Sequence, residues 1–176
     1  MPLVVGPFAI AAAVLVVSGI AKMSQPTTTV DAIRAAGLPT AKAFVYLLAA
    51  VEIAVGTAAF LVGGRLAAAA VAAIYLGFAG FVVLTKLRGT QSGGCGCLGA
   101  RSDVPPGALH IGLDVLAFGS ALVAVVNPVP GLFEIVQTEP LAGVVFFGFV
   151  VLGTWLVAVM LTELPRLQQV IGEGGS

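Results

Sequence analysis

The chain has 176 residues, of which 59% are hydrophobic and only 9% charged, against roughly 25% charged in an ordinary soluble domain. That composition excludes a water-soluble globular domain, and it excludes a disordered chain, which lacks apolar content. Eight basic residues balance eight acidic ones, so no concentrated basic surface exists for a phosphate backbone, and nucleic acid is not an expected partner.

A helix that crosses about 30 Å of hydrocarbon needs about 20 apolar residues. Five stretches meet that length, approximately 3–21, 43–62, 66–85, 107–126 and 141–161. The first has no basic segment ahead of it and reads as a retained helix, not as a signal peptide. Between it and the second span, Thr28, Thr29 and Asp31 precede Ala32, Ile33, Ala35 and Ala36, with Gly37 and Pro39 after them. This pattern predicts a short N-capped helix with a glycine stop, lying in the interface. Gly63-Gly64 makes a short turn, so the second and third spans form an antiparallel hairpin. The third span is dense in small residues, including Ala67 to Ala70, Gly77 and Gly80, which predicts tight helix packing in lipid. The connection 86–106 is glycine-rich and holds both cysteines. The connection 127–140 carries an apolar patch of Leu132, Phe133, Ile135 and Val136, suited to the membrane surface. Phe146, Phe147, Phe149 and Trp155 give the fifth span an aromatic face for lipid or a partner subunit, and a short polar tail follows Pro165. The expected fold is all-α: one polytopic membrane domain over residues 1–176, a bundle of five transmembrane helices.

Lysine and arginine collect in cytoplasmic loops. Lys22, Arg34, Lys42, Lys86, Arg88, Arg101 and Arg166 fall on one side of a five-span chain, and Arg65 alone falls on the other. The count puts the N-terminus outside and the cysteine loop in the cytoplasm, although disulfides persist better on the oxidising side. The expected membrane is the plasma membrane of a bacterium.

The two cysteines stand one residue apart in Gly93-Gly94-Cys95-Gly96-Cys97-Leu98-Gly99. Structural cysteines usually hide in apolar packing, and these do not. A ring closed across one residue is strained, and strained disulfides are labile and suited to exchange. Two thiolates also suit a soft metal such as Cu(I), Zn(II) or Hg(II), with His110 as the further ligand in that reading. Both chemistries remain open at this level.

Of the sixteen charged residues, Glu52 and Asp114 are the two inside the spans, and ionisable residues at that depth mark function by default. His110, the only histidine, precedes Asp114 by four residues, which puts both on one helix face. At 1.5 Å per residue, Asp114, Glu52 and Tyr75 lie about 11, 14 and 15 Å in from the cysteine side, so they are expected to converge there. Lys22, at the end of the first span, can snorkel outward or turn inward to a carboxylate. The expected catalytic set is Cys95, Cys97, His110, Asp114 and Glu52, with His110 stabilising a thiolate and Asp114 orienting it. The alternative function is a soft-metal transporter or chaperone, or an accessory subunit of a larger membrane complex.

Ser18-Gly19-Ile20-Ala21-Lys22 resembles the end of the first helix in DoxX-like membrane proteins. Glu52, together with Cys95-Gly96-Cys97-Leu98-Gly99 ahead of the fourth span, resembles the methylamine-utilisation MauE family. The resemblance covers the first four spans, a DoxX-like four-helix core to which a fifth helix is added. Leu98 stands where the family usually has an aromatic, and Leu109-His110-Ile111 stands where an Arg-Asn pair is usual. The resemblance implies redox-associated membrane work, in disulfide formation or thiol maintenance beside a thioredoxin-like protein. The architecture is also similar to that of vitamin K epoxide reductase-type enzymes, which implies a quinone as electron acceptor, by analogy alone.

Overall fold

The computed structural model describes the backbone of residues 4–89 and 108–173, and the side chains of 4–89 and 110–161. In chain order the helices are α1 (Val5–Ser24), α2 (Pro26–Ala35), α3 (Lys42–Leu61), α4 (Gly64–Leu87), α5 (Ala108–Val126), α6 (Leu132–Thr138) and α7 (Pro140–Glu173). Among the described residues there is no strand, only one isolated bridge between Gly63 and Pro130. Four helices, α1, α3, α4 and the Pro140–Leu161 part of α7, are long and apolar enough to cross a membrane, and α5 is a shorter apolar helix beside them.

Helix α1 is the axis of the bundle, packing against α3, α5 and α7, while α4 packs on α5 and α3. Its inner stripe runs through Phe8, Ala11, Ala12, Leu15, Ser18, Gly19 and Lys22, all buried, at the three- and four-residue spacing of one helix face. The outer surface is as apolar as the core: Leu66, Leu141, Leu116 and Leu47 are all exposed. Water would not tolerate so continuous an apolar surface, and lipid does. The helices leave no backbone ladder open to the hydrocarbon, as lipid demands. Helix α7 is the least enclosed, with Phe147, Phe149 and Trp155 all exposed.

Three local expectations change. Helix α2 starts at Pro26, ahead of the threonines, and has no side-chain cap. Proline fits the first helical position because the N–H it lacks there has no partner anyway, and Thr28 instead donates back to the Gln25 carbonyl at 2.8 Å. The glycine stop is as expected: Gly37 has φ +76°, its N–H meets the Arg34 carbonyl, and the Leu38 N–H meets the Ile33 carbonyl, which is the Schellman arrangement. Helix α7 does not end at Pro165 but continues to Glu173; Arg166, Leu167, Gln168 and Gln169 are good helix formers. The tight packing expected of the third span is carried by its alanines, Ala68 and Ala72, which are buried in the core, and not by its glycines. Gly77 and Gly80 of α4 have nothing near their faces, whereas Gly19 of α1 and Gly56 of α3 are pressed against each other's helices.

The hairpin of α3 and α4 turns at Gly63 and Gly64, with φ of +71° and +86°. A Cβ at Gly63 would stand 2.5 Å from the Val129 carbonyl oxygen, so only glycine fits there. At the opposite end of the bundle, Arg34 donates to the Thr40 carbonyl through Nε and Nη2. Arg88, just past α4, donates to the Ala36 carbonyl and so ties the end of α4 to the end of α2.

Candidate functional site

Side chains on a helix lean toward its N-terminus. Lys22, in the last turn of α1, therefore runs back into the bundle and not out to the surface. Its Nζ donates to Ser18 Oγ at 2.5 Å and to Glu52 Oε2 at 2.8 Å. It also stands 5.1 Å from the centre of the Phe78 ring on α4, a cation–π distance. The ion pair is enclosed, with side-chain exposures of 2% for Lys22 and 0% for Glu52. Glu52 Oε1 is buried and has no hydrogen-bond partner among the described residues.

The ion pair depends on the approach of α1 to α3. Gly19 lies between Ser18 and Lys22 in height, and a Cβ there would meet Ala49 O at 2.8 Å and Glu52 Cβ at 3.3 Å. The missing side chain lets the helix carrying Glu52 come close enough for a short lysine reach. A charge alone at this depth is costly, which is why intramembrane charges pair.

Tyr75 and Asp114 form a second polar place. The Tyr75 hydroxyl, from α4, donates to the Ala11 carbonyl of α1 at 2.8 Å. Asp114, half-buried on α5, lines with Tyr75, Ala11 and Val157 a cavity of about 240 Å³ between α1, α4, α5 and α7. His110 is half-buried one turn before Asp114 on α5. The expected convergence of Glu52, Tyr75 and Asp114 is thus divided. Glu52 turns to Lys22, Tyr75 and Asp114 share the cavity, and Phe78 stands between, edge-on to Tyr75 at 6.0 Å. Cys95 and Cys97 lie outside the described residues, between α4 and α5.

The bond from Tyr75 to Ala11 pins α4 to α1. A Tyr75→Phe variant is expected to lose about 1 kcal/mol of stability, the net worth of one such bond, read as a lowered thermal midpoint in detergent. Thiol reactivity of the cysteines is expected to stay at the parent level.

Reading the sequence missed Ser18, Phe78 and the paired glycines. The Ser18-x₃-Lys22 spacing, one turn apart on the α1 stripe, was the available signal for the first. Among the described residues, no group of three or more His, Cys, Asp or Glu side chains is arranged to hold a metal ion.

The sequence model of the family described as methylamine utilisation protein MauE matches residues 1–129, which takes in α1 through α5 and the turn that meets Gly63. No curated protein and no solved structure matches the chain. A match over that much of the chain, on a bundle of apolar helices, makes this an integral membrane protein that belongs to the MauE family.

Proposed function

We propose that the chain is a membrane thiol–disulfide exchange protein serving methylamine utilisation, with Cys95 and Cys97 as the exchanging pair. The observation that carries the reading is the Cys95-Gly96-Cys97 sequence itself, the chain's only cysteines, set among glycines between α4 and α5. A thiolate of the pair attacks a disulfide of a thioredoxin-like partner and forms a mixed disulfide. The second thiolate displaces the partner's sulfur. The partner leaves as a dithiol, and Cys95 and Cys97 are left joined, two electrons and two protons poorer. Relative potentials decide the direction, and a quinone is the alternative acceptor of the two electrons. His110 favours the thiolate, Asp114 orients the imidazole, and Glu52 Oε1 receives a proton within the bundle.

The protein acts in the plasma membrane of a bacterium as one polytopic unit, with the cysteine loop on the cytoplasmic side. The charge count supports this side even without Lys22, which the ion pair removes from the count.

The test is a Cys95→Ser variant expressed with its native partners. A mixed disulfide trapped through Cys97, lost in the double Cys95→Ser/Cys97→Ser variant, is the expected result. Labelling with a membrane-impermeant thiol reagent in intact cells reads side and redox state together. Unchanged redox state and no trapped species in either single variant would overturn the reading. One equivalent of copper, zinc or mercury that depends on both cysteines would put metal handling in its place.

A further inference from the structure

The end of the bundle at which α2 turns into α3 carries two arginines held in place by the main chain. Arg34 donates from Nε and Nη2 to the Thr40 carbonyl. Arg88, arriving from the end of α4, donates from Nη1 to the Ala36 carbonyl. Both side chains are thus anchored on residues 36–40. A Cβ at Gly37, between the two anchors, would stand 3.0 Å from Arg88 Nη1, so that guanidinium lies directly on the turn.

A guanidinium carries five N–H donors. Arg34 uses two of them here and Arg88 one. Both residues are exposed, and neither is in an ion pair among the described residues. Lys42, exposed and likewise without an ion pair among them, opens α3 two residues past Thr40. Asp31, the exposed carboxylate of this end, pairs with none of the three. Basic residues that only set orientation in the membrane need no fixed geometry. Here two forks are fixed beforehand with donors to spare, and a planar fork of that kind suits phosphate.

The surroundings say what carries the phosphate. Tyr46 lies one turn along α3 from Lys42, on the same helix face, with Phe44 and Leu47 beside it, and all three are exposed. Tyrosine favours the level of the headgroups, and the apolar surface of the span begins there. A soluble anion would meet the charges and leave that surface bare, whereas an anionic phospholipid covers both. We propose that the corner formed by residues 34–47 and the end of α4 binds one anionic phospholipid, its phosphate on Arg34, Arg88 and Lys42 and its acyl chains along the first two turns of α3.

Native mass spectrometry of the full chain in detergent, titrated with phosphatidylglycerol or with phosphatidylcholine of the same acyl chains, reads the ratio of the two dissociation constants. A variant that is merely less stable leaves that ratio unchanged. Phosphatidylglycerol is expected to bind tighter to the parent, and its advantage is expected to fall about tenfold in Arg34→Gln and in Arg88→Gln, the worth of one charge-assisted hydrogen bond. Lys86, two residues before Arg88, has the same charge at the same height but does not share its face, so Lys86→Gln should keep the parent ratio. A ratio that falls as far in Lys86→Gln as in Arg88→Gln means a diffuse field of charge and overturns the proposal, as does equal affinity of the parent for the two lipids. Displacement of phosphatidylglycerol by an equal concentration of inorganic phosphate or of a hexaglutamate peptide assigns the corner to a soluble anion and also overturns it. The readout uses no thiol, so its failure leaves the cysteine reading intact, and the reverse also holds.

Discussion

Lys22→Met and Glu52→Gln, made singly, are each expected to destabilise the protein by about 3–5 kcal/mol, since either leaves a buried charge without its counterion. For a chain of this size that corresponds to a fall in thermal midpoint of roughly 6–20 °C, read in mild detergent. The double variant should recover most of the loss. With both charges gone, the cost of holding them away from water disappears, and a buried ion pair replaced by neutral groups is often as stable as before. The double variant therefore separates two roles. If the pair only joins α1 to α3, the thiol exchange proposed for Cys95 and Cys97 recovers with stability. If Glu52 also handles a proton, the double variant folds and exchanges slowly. Its unpartnered Oε1 is the reason to expect the slow outcome. Exchange at the parent rate in a stable double variant would remove Glu52 from the mechanism and leave it as a structural residue.

The helices were legible in the sequence because lipid imposes one rule, a run of apolar residues of fixed length. The runs at 43–62 and 107–126 agree with α3 and α5 to within a residue or two at each end. The start of α2 was less legible because threonines suggest a cap, while Pro26 satisfies the helix start by geometry alone. Glu52 could be singled out from depth. Its partner could not be fixed, because Lys22 near a helix end has two physically reasonable directions. What decides between them is the distance from α1 to α3, a tertiary fact that no run of residues states. Tyr75 and Asp114 line one cavity as expected, whereas Glu52 turns away from them to Lys22. Counting 1.5 Å per residue gives depth and says nothing of which neighbour each side chain faces. The aromatic face of α7 was legible as an exposed one, and Phe147, Phe149 and Trp155 are exposed.

Glycine substitutions should show the same lesson in reverse. By composition, α4 is the helix whose small residues ought to matter, yet Gly77→Ala and Gly80→Ala are expected to be neutral or slightly stabilising. No atom lies within 4 Å of a Cβ at either position, and alanine is the better helix former by about 1 kcal/mol. Gly19→Ala and Gly56→Ala are expected to behave oppositely. A Cβ at Gly19 would stand 2.7 Å from Ile53 Cγ1 and 2.8 Å from the Ala49 carbonyl oxygen, and one at Gly56 would stand 2.6 Å from the Ala12 carbonyl oxygen. Two of these three obstacles are helix backbone, which cannot swing aside as a side chain can, so α1 and α3 must separate. Overpacking of this kind costs about 1–3 kcal/mol. Gly19→Ala carries a further consequence, because Ser18 and Lys22 flank it and Glu52 faces it. Separation there lengthens the 2.8 Å contact of Lys22 with Glu52, so part of its cost is electrostatic. Combining Gly19→Ala with the neutral Lys22→Met/Glu52→Gln pair should therefore cost less than Gly19→Ala in the parent, whereas Gly56→Ala, farther along the same interface, should cost the same in both backgrounds. Thermal midpoints of the two backgrounds and of each glycine variant in both, six proteins in all, measure that difference, and equal costs for Gly19→Ala in the two backgrounds would show that the close approach of α1 and α3 does not set the ion pair.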